Sequence, residues 1–160
     1  MFLSLLKPYE AKVESLRSSG FLVDSAKGKV LDQINSIRLH LRSYKPNKPK
    51  TWIETDEYLE ELIELIAYLV RDVRLECSFM DGGEFAEHIE SRLHHFIKDR
   101  LNDAFLKEEI DAELTWGVNV KYLSPKIPPV LDELSALITV IAAEVKDYSE
   151  RQQKWVEGLR

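Results

Sequence analysis

The sequence predicts an all-α protein, an antiparallel up-down helical bundle of four long helices plus one short N-terminal helix. Large apolar residues recur at alternating spacings of three and four in each long segment, which is the period of one helix face. Most prolines and glycines stand between these segments, where they end helices. The chain has 160 residues and is 44% hydrophobic, which is enough for one core and too little for two. Residues 1–160 are therefore expected to form a single domain.

The C-terminal segment has the most regular apolar pattern and is expected to form the central helix of the bundle. Its large apolar residues are Leu134, Ile138, Ile141, Val145 and Tyr148, followed in the same phase by Trp155 and Leu159. A stripe that continues for more than three heptads needs other helices to cover it. Pro128 and Pro129 stand at the start of this helix, where a missing N–H costs nothing.

Two helices are expected in the N-terminal third. The first covers residues 8–19 and is stopped by Gly20. The second begins at Asp24 or Ser25 as the N-cap and runs to about Tyr44. Its apolar face consists of Val30, Ile34, Ile37, Leu41 and Tyr44.

The third helix has a clear local start signal. Residues 45–50 contain two prolines and form a loop, here called the lysine loop. Thr51 and Glu54 then match the T-x-x-E capping box, in which each residue satisfies a backbone N–H of the other. The helix is expected to continue to about Cys77 and to be the most buried of the set.

The fourth helix is expected to begin with Asp81 as its cap, three residues before Glu84, and to run to about Glu113. Between Thr115 and Leu123 the apolar residues alternate with polar ones, a period of two. That period is typical of extended chain, so the segment is either an ordered connection or a small hairpin.

Charge is divided unevenly along the chain. Residues 1–52 contain ten Lys and Arg against four Asp and Glu, and the remainder contains twelve against twenty-four, which gives a net charge of −6. The two parts either pair with each other or present surfaces to different partners. The lone Cys77 cannot form an internal disulfide, and no run approaches the ~18 apolar residues of a membrane span. A cytoplasmic protein with no membrane segment is expected.

The first candidate site is a group of cations, called the basic segment. Its members are Arg38, Arg42, Lys45, Lys48 and Lys50, next to Trp52. Cations interleaved with aromatic residues can bind single-stranded nucleic acid along its backbone. An acidic protein partner and an idle solvated face are the alternatives.

The second candidate site is the end of the C-terminal helix. Trp155 and Leu159 continue the apolar stripe of Tyr148 beyond the expected reach of the other helices. An exposed Trp is an anchor residue favoured in protein interfaces. These residues either dock on the apolar N-terminal residues 2–6 or contact another chain.

The fourth helix also carries a polar stripe, formed by Glu84, His88, Ser91, His95 and Asp99. A His and a carboxylate one turn apart can chelate a metal, but this stripe lies opposite the apolar face, and H-E-x-x-H is absent. A solvated helix face is the preferred interpretation. Arg100 lies closer to the apolar face, where a carboxylate is expected to pair with it.

No catalytic or nucleotide-binding motif occurs in the sequence. The predicted function is therefore a non-enzymatic protein-interaction module without a cofactor. Such a module is a small helical subunit or adaptor that self-associates or docks into a larger assembly. The alternative is a nucleic-acid-associated helical module that uses residues 38–52.

Overall fold

The computed structural model describes residues 4–18, 30–78 and 80–159, and 81% of these residues are helical, with no strand among them. The helices are α1 (Leu6–Ser18), α2 (Val30–Ser43), α3 (Trp52–Glu76), α4 (Glu84–Phe96), α5 (Asn102–Asp111) and α6 (Ile127–Gly158). A π-helical turn at Ile97–Leu101 joins α4 to α5, and a second at Ala112–Trp116 extends α5. The prediction of an all-helical chain is confirmed.

Local sequence signals set two of the helix starts. Thr51 caps α3 because its side-chain oxygen accepts the N–H of Glu54 at 3.1 Å, while the Glu54 carboxylate accepts the N–H of Thr51 at 3.2 Å. This is the predicted capping box. Helix α6 begins with Pro128 and Pro129 in its first turn, also as predicted.

Helix α2 is described from Val30 onward. The predicted N-cap at Asp24 or Ser25, and Gly20 as the stop signal of α1, lie outside the described residues. Within them, the N–H of Val30 donates to the Glu76 carboxylate at 2.8 Å, so the end of α3 satisfies the first described donor of α2.

The start of α4 is capped by Asp81, but not through the predicted capping box. The Asp81 carboxylate accepts the N–H groups of Gly83 at 3.2 Å and Phe85 at 3.0 Å. Gly83 is the N-cap and has φ of 92°, a value that favours glycine. Glu84 is therefore the first helical residue rather than the third, which leaves it unable to complete the box.

The segment from Thr115 to Leu123 corrects two expectations. The helix runs on to Trp116 and ends at Gly117, whose φ of 89° an L side chain rarely adopts. The chain then returns to the lysine loop, where Lys50 and Tyr122 exchange two backbone hydrogen bonds of 3.0 Å in one isolated bridge. The hairpin alternative is wrong because the segment pairs with this loop rather than with itself. The rest is the ordered connection that was predicted.

Helix α3 is the most extensively packed helix. It contacts α1, α2 and α4, whereas α6 contacts α2, α5 and the first π-helical turn. The buried stripe of α6 runs from Ile127 to Tyr148 and includes the five residues predicted between Leu134 and Tyr148. Burial of a large apolar side chain stabilises the fold by about 1.5 to 3 kcal/mol. None of the described helices has the length and apolar character to cross a membrane.

Ion pairs connect the basic first third of the chain with the acidic remainder. Lys12 on α1 pairs with Glu64 on α3 at 3.1 Å, and Arg17 pairs with Glu90 on α4 at 2.6 Å. Part of the charge asymmetry is thus neutralised inside the fold. Arg100 also has the expected carboxylate partner, because Glu133 on α6 accepts two hydrogen bonds from its guanidinium Nη2 at 2.8 and 2.9 Å.

Candidate functional site

Helix α6 continues for ten residues beyond Tyr148, its last buried residue. At about 1.5 Å per residue these residues extend the helix by about 15 Å. We call residues 149–159 the C-terminal overhang. Trp155 is 42% exposed, Val156 38% and Leu159 68%. Because positions 155, 156 and 159 are neighbours on a helix surface, the three side chains form one apolar patch.

Tyr148 lies in the core rather than on this patch. Its ring stacks on Phe85 with centroids 4.5 Å apart, and its hydroxyl donates to the Asp81 carboxylate at 3.3 Å. The same hydroxyl accepts the N–H of Met80 at 3.3 Å. Tyr148 was expected to bind a partner, but its burial restricts it to anchoring the overhang to the start of α4.

The apolar N-terminal residues 2–6 are one predicted contact of the overhang. Residues 2 and 3 lie outside the described part of the chain. Leu5 is buried, and its N–H donates to the side-chain oxygen of Asn102 at 2.8 Å, close to the first π-helical turn. Contact of Trp155 or Leu159 with residues 2–6 therefore stays a prediction.

Four cations of the basic segment have no carboxylate partner within the described ranges. Arg42, Lys45 and Lys48 are exposed and Arg38 is half-buried. None of the four forms an ion pair with another described residue, in contrast to Lys12 and Arg17 on α1. The end of α2 and the lysine loop thus present unneutralised positive charge to solvent.

Lys50 has a structural role in the lysine loop. Its ammonium group lies 4.0 Å from the centre of the Tyr44 ring and donates to the carbonyl oxygens of Lys45 at 2.9 Å and Lys48 at 3.3 Å. Partial burial lowers its pKa, and the neighbouring charge of Lys48 adds to this effect. Lys50 closes the loop, and its charge is less available than predicted for a partner.

The aromatic residues near the basic segment point inward. Trp52 is buried and packs on Phe105 with ring centroids 5.1 Å apart. His40 stacks on Tyr58 at 4.1 Å, and Tyr44 is buried beside them. Trp52 was expected to bind a partner, and its burial leaves little of its ring exposed to contact one. The basic segment therefore offers charge without an exposed aromatic ring for base stacking.

The polar stripe of α4 is a solvent-exposed face. His95 turns back to its own helix, since its Nδ1 lies 2.8 Å from the Ser91 carbonyl oxygen. Glu84, His88 and Asp99 are exposed. Among the described residues, no group of three or more His, Cys, Asp or Glu side chains is arranged to hold a metal ion.

Cys77 is buried at the end of α3. Burial raises the pKa of its thiol to about 12, and the charges of Glu76 and Asp81 act in the same direction. The protonated thiol is a poor nucleophile at neutral pH.

Two buried carboxylates on α5 were missed by the sequence reasoning. Glu108 is fully buried and Glu109 is 4% exposed. Burial raises the pKa of both, that of Glu109 to about 7. A signal existed in the sequence, because positions 108 and 109 follow Phe105 at three and four residues and precede Ala112 at the same spacings. The apolar face of α5 therefore continues through both glutamates.

Polar and charged groups surround the buried Glu108 carboxylate. The hydroxyl groups of Tyr44, Tyr122 and Ser124 and the ammonium group of Lys126 are its electrostatic neighbours. Ser124 and Lys126 counteract the effect of burial on the Glu108 pKa. Among the residues that the structure describes, neither carboxylate oxygen has a hydrogen bond of good geometry. The cluster joins α5 to the connection that follows it.

The two predicted sites that the structure leaves at least partly exposed are the C-terminal overhang and the basic segment. Comparison of the chain with known proteins found no matching family model, no matching curated protein and no matching solved structure.

Proposed function

We propose that this chain is a non-enzymatic protein-interaction module, a small helical subunit or adaptor that self-associates or docks into a larger assembly. The observation that carries the proposal is the C-terminal overhang, which exposes Trp155, Val156 and Leu159 on one helix face. Tryptophan contributes large binding energies when an interface buries it. An apolar patch at the end of a rigid helix is a natural anchor for a second protein.

The apolar patch of the overhang is too small to form a stable interface alone. A stable interface buries roughly 800 Å² per partner, and three side chains on one helix end supply only part of that area. A second copy of this chain would bury both patches in one two-fold interface. The rest of the interface then comes from surface beside the overhang, where charged and polar residues surround the patch.

The basic segment is better suited to contact an acidic protein surface than to bind nucleic acid. Arg38, Arg42, Lys45 and Lys48 form no ion pair with the described part of the chain, while Trp52 is buried. Proteins that bind single strands gain much of their affinity from bases stacked on exposed aromatic rings. With a net charge of −6, a second copy of the chain itself carries acidic surface. The alternative, a nucleic-acid-associated module, relies on phosphate contacts alone.

We also propose a single domain with an antiparallel up-down arrangement, and a cytoplasmic location. Short connections support the arrangement, since residues 44–51 join α2 to α3 and residues 77–83 join α3 to α4. The one cysteine, buried and unpaired, supports a reducing compartment.

Light scattering coupled to size exclusion tests the function. The wild-type chain is expected to elute as a dimer or larger species, and the Trp155→Glu/Leu159→Glu variant as an 18.6 kDa monomer. Two charges in the apolar patch would have to be desolvated on association. Val140→Glu is the matched control, because Val140 is a 45% exposed apolar residue on the same helix and outside the overhang.

Two results would contradict the proposal. One is a wild-type monomer at every concentration, together with a pull-down in which the double variant retains every partner of the wild type. The other is loss of association in Val140→Glu to the same extent as in the double variant.

A further inference from the structure

A groove of about 390 Å³ lies between α1 and α4. Its volume falls within the roughly 300 to 1,000 Å³ typical of small-molecule sites. Its lining includes Tyr9, Glu10 and Arg17 from α1 and Glu87, Glu90 and His94 from α4. No residue of the basic segment or the C-terminal overhang lines it.

Tyr9 lines the groove and is almost fully buried, at 2% exposure. Its hydroxyl forms no hydrogen bond with any residue in the described ranges. Burial raises its pKa, chiefly by desolvation and then through the charge of Glu90, so the hydroxyl stays protonated. Three of its charged neighbours, Glu90, Arg17 and Glu10, line the same groove. A buried hydroxyl without a partner is costly, and a ligand group would satisfy it.

Four carboxylates line the groove, and two of them have cationic partners: Glu14, which lies 3.9 Å from Arg17, and Glu90. Glu90 is held by Arg17 at 2.6 Å and by Nε of Arg74 at 2.6 Å, so its charge belongs to the fold. Glu10 and Glu87 are exposed and form no ion pair with any other residue that the structure describes. One stands on each helix, which gives the mouth of the groove a negative charge on both sides.

Two aromatic rings also line the groove. The Tyr9 and His94 rings lie 6.3 Å apart, centre to centre. Aromatic faces attract cations that have lost part of their water, and carboxylates attract them from the rim. An anionic ligand would be repelled by Glu10 and Glu87. A purely apolar ligand would leave the Tyr9 hydroxyl without a partner.

We propose that the groove between α1 and α4 binds an organic cation, an alkylammonium or guanidinium group. Its N–H groups donate to the Tyr9 hydroxyl oxygen and to the carboxylates of Glu10 and Glu87. Its hydrocarbon part contacts the Tyr9 and His94 rings. The cation is either a free amine or the side chain of a basic peptide. The site is independent of the association function, because it shares no residue with the overhang.

Isothermal titration calorimetry tests this site with two probes that carry the same guanidinium group. Agmatine represents a free amine, and acetyl-Gly-Arg-Gly-amide represents a peptide side chain. Saturable one-to-one binding is expected for at least one probe, and none for the neutral analogue butylurea. Tyr9→Phe should weaken binding about fivefold, because it removes one acceptor of the cation, and Glu87→Gln about threefold, because it removes a negative charge beside the cation.

Glu150→Gln is the control, since it removes a carboxylate from the overhang and should leave the affinity unchanged. Thermal unfolding of Tyr9→Phe verifies that the variant folds, which the retained ring favours. Tighter binding of agmatine identifies a free amine, and tighter binding of the peptide identifies a protein side chain. The proposal fails if neither probe saturates up to about 10 mM, if butylurea binds equally well, or if Tyr9→Phe keeps the wild-type affinity.

Discussion

Glu109 is a carboxylate held in the protein interior on α5. Burial is the main cause of its raised pKa, and the charges of Glu113 and Asp56 add to it. The ordinary pKa of a glutamate side chain is 4.5, and the pKa of Glu109 in the folded protein is about 7. Between pH 4.5 and about pH 7 the Glu109 carboxyl group is therefore protonated to a greater extent in the folded state than in the unfolded state. The resulting stability is fully present below the lower pKa and is lost as the pH rises through about 7.

Glu109→Gln should remove this pH dependence, because the amide stays neutral at every pH. We expect the substitution to raise the free energy of unfolding on the order of 1 kcal/mol at about pH 8 and to change it little at about pH 4.5. Urea denaturation at the two pH values measures the difference. Glu150→Gln, at an exposed position on α6, is the control, because Glu150 does not contribute to the shift of the Glu109 pKa. Equal effects of Glu109→Gln at both pH values would rule out the titration as the cause.

The position of Glu109 could be predicted from the sequence, but its pKa could not. The spacing from Phe105 places it on the buried face of α5. Its pKa also depends on Asp56, which α3 brings close from a distant part of the sequence. Lys50 illustrates the same limit, because its place over the Tyr44 ring depends on how the lysine loop folds back.

The capping box of α3 is a local element with a measurable effect. Thr51→Ala removes the oxygen that accepts the Glu54 N–H, and we expect it to lower the free energy of unfolding by about 1 kcal/mol. Thr51→Ser keeps that oxygen and should restore most of the stability. Thr139→Ala is the control, because the hydroxyl of the exposed Thr139 donates to the Ser135 carbonyl within α6 and caps no helix start. Equal losses in the Thr51 and Thr139 variants, measured by urea denaturation, would contradict the capping argument.

Helix starts could be predicted more closely than the end of the long helical segment. Thr51 and Pro128 act through neighbours in sequence, so short-range rules identify them. The segment after α5 was predicted to be extended because its apolar residues alternate. Gly117 and the stacking of Trp116 on Tyr122, with centroids 4.2 Å apart, set its actual end. This contact depends on tertiary structure, which the local pattern does not contain.

At the scale of the whole molecule, the uneven charge divides into a paired and an unpaired part. Lys12 and Arg17 on α1 are paired with glutamates of α3 and α4. Arg42 and Lys45 remain without a carboxylate in the described ranges. The sequence predicted the asymmetry from a count, but which cations pair depends on which helices meet. Positive charge is therefore concentrated at the end of α2, on a protein whose net charge is negative.

Charge reversal at this end distinguishes a protein partner from nucleic acid. If an acidic protein surface contacts the basic segment, association should weaken as salt rises from about 0.05 to about 0.5 M, because screened charges attract less. Arg42→Glu/Lys45→Glu should weaken association at low salt and reduce its salt dependence. Lys98→Glu/Lys146→Glu makes the same change of net charge at two other exposed lysines and should leave association near the wild-type value.

The nucleic-acid alternative makes a different prediction in the same buffers. Anisotropy of a labelled single-stranded oligonucleotide would then report an affinity that falls steeply with salt, by about 0.7 in log–log slope for each phosphate contacted. We expect only weak binding near physiological salt, because Trp52 and Tyr44 are buried and provide no stacking surface. Tight, salt-dependent binding that Arg42→Glu/Lys45→Glu abolishes, with protein association unchanged in that variant, would assign the basic segment to nucleic acid instead.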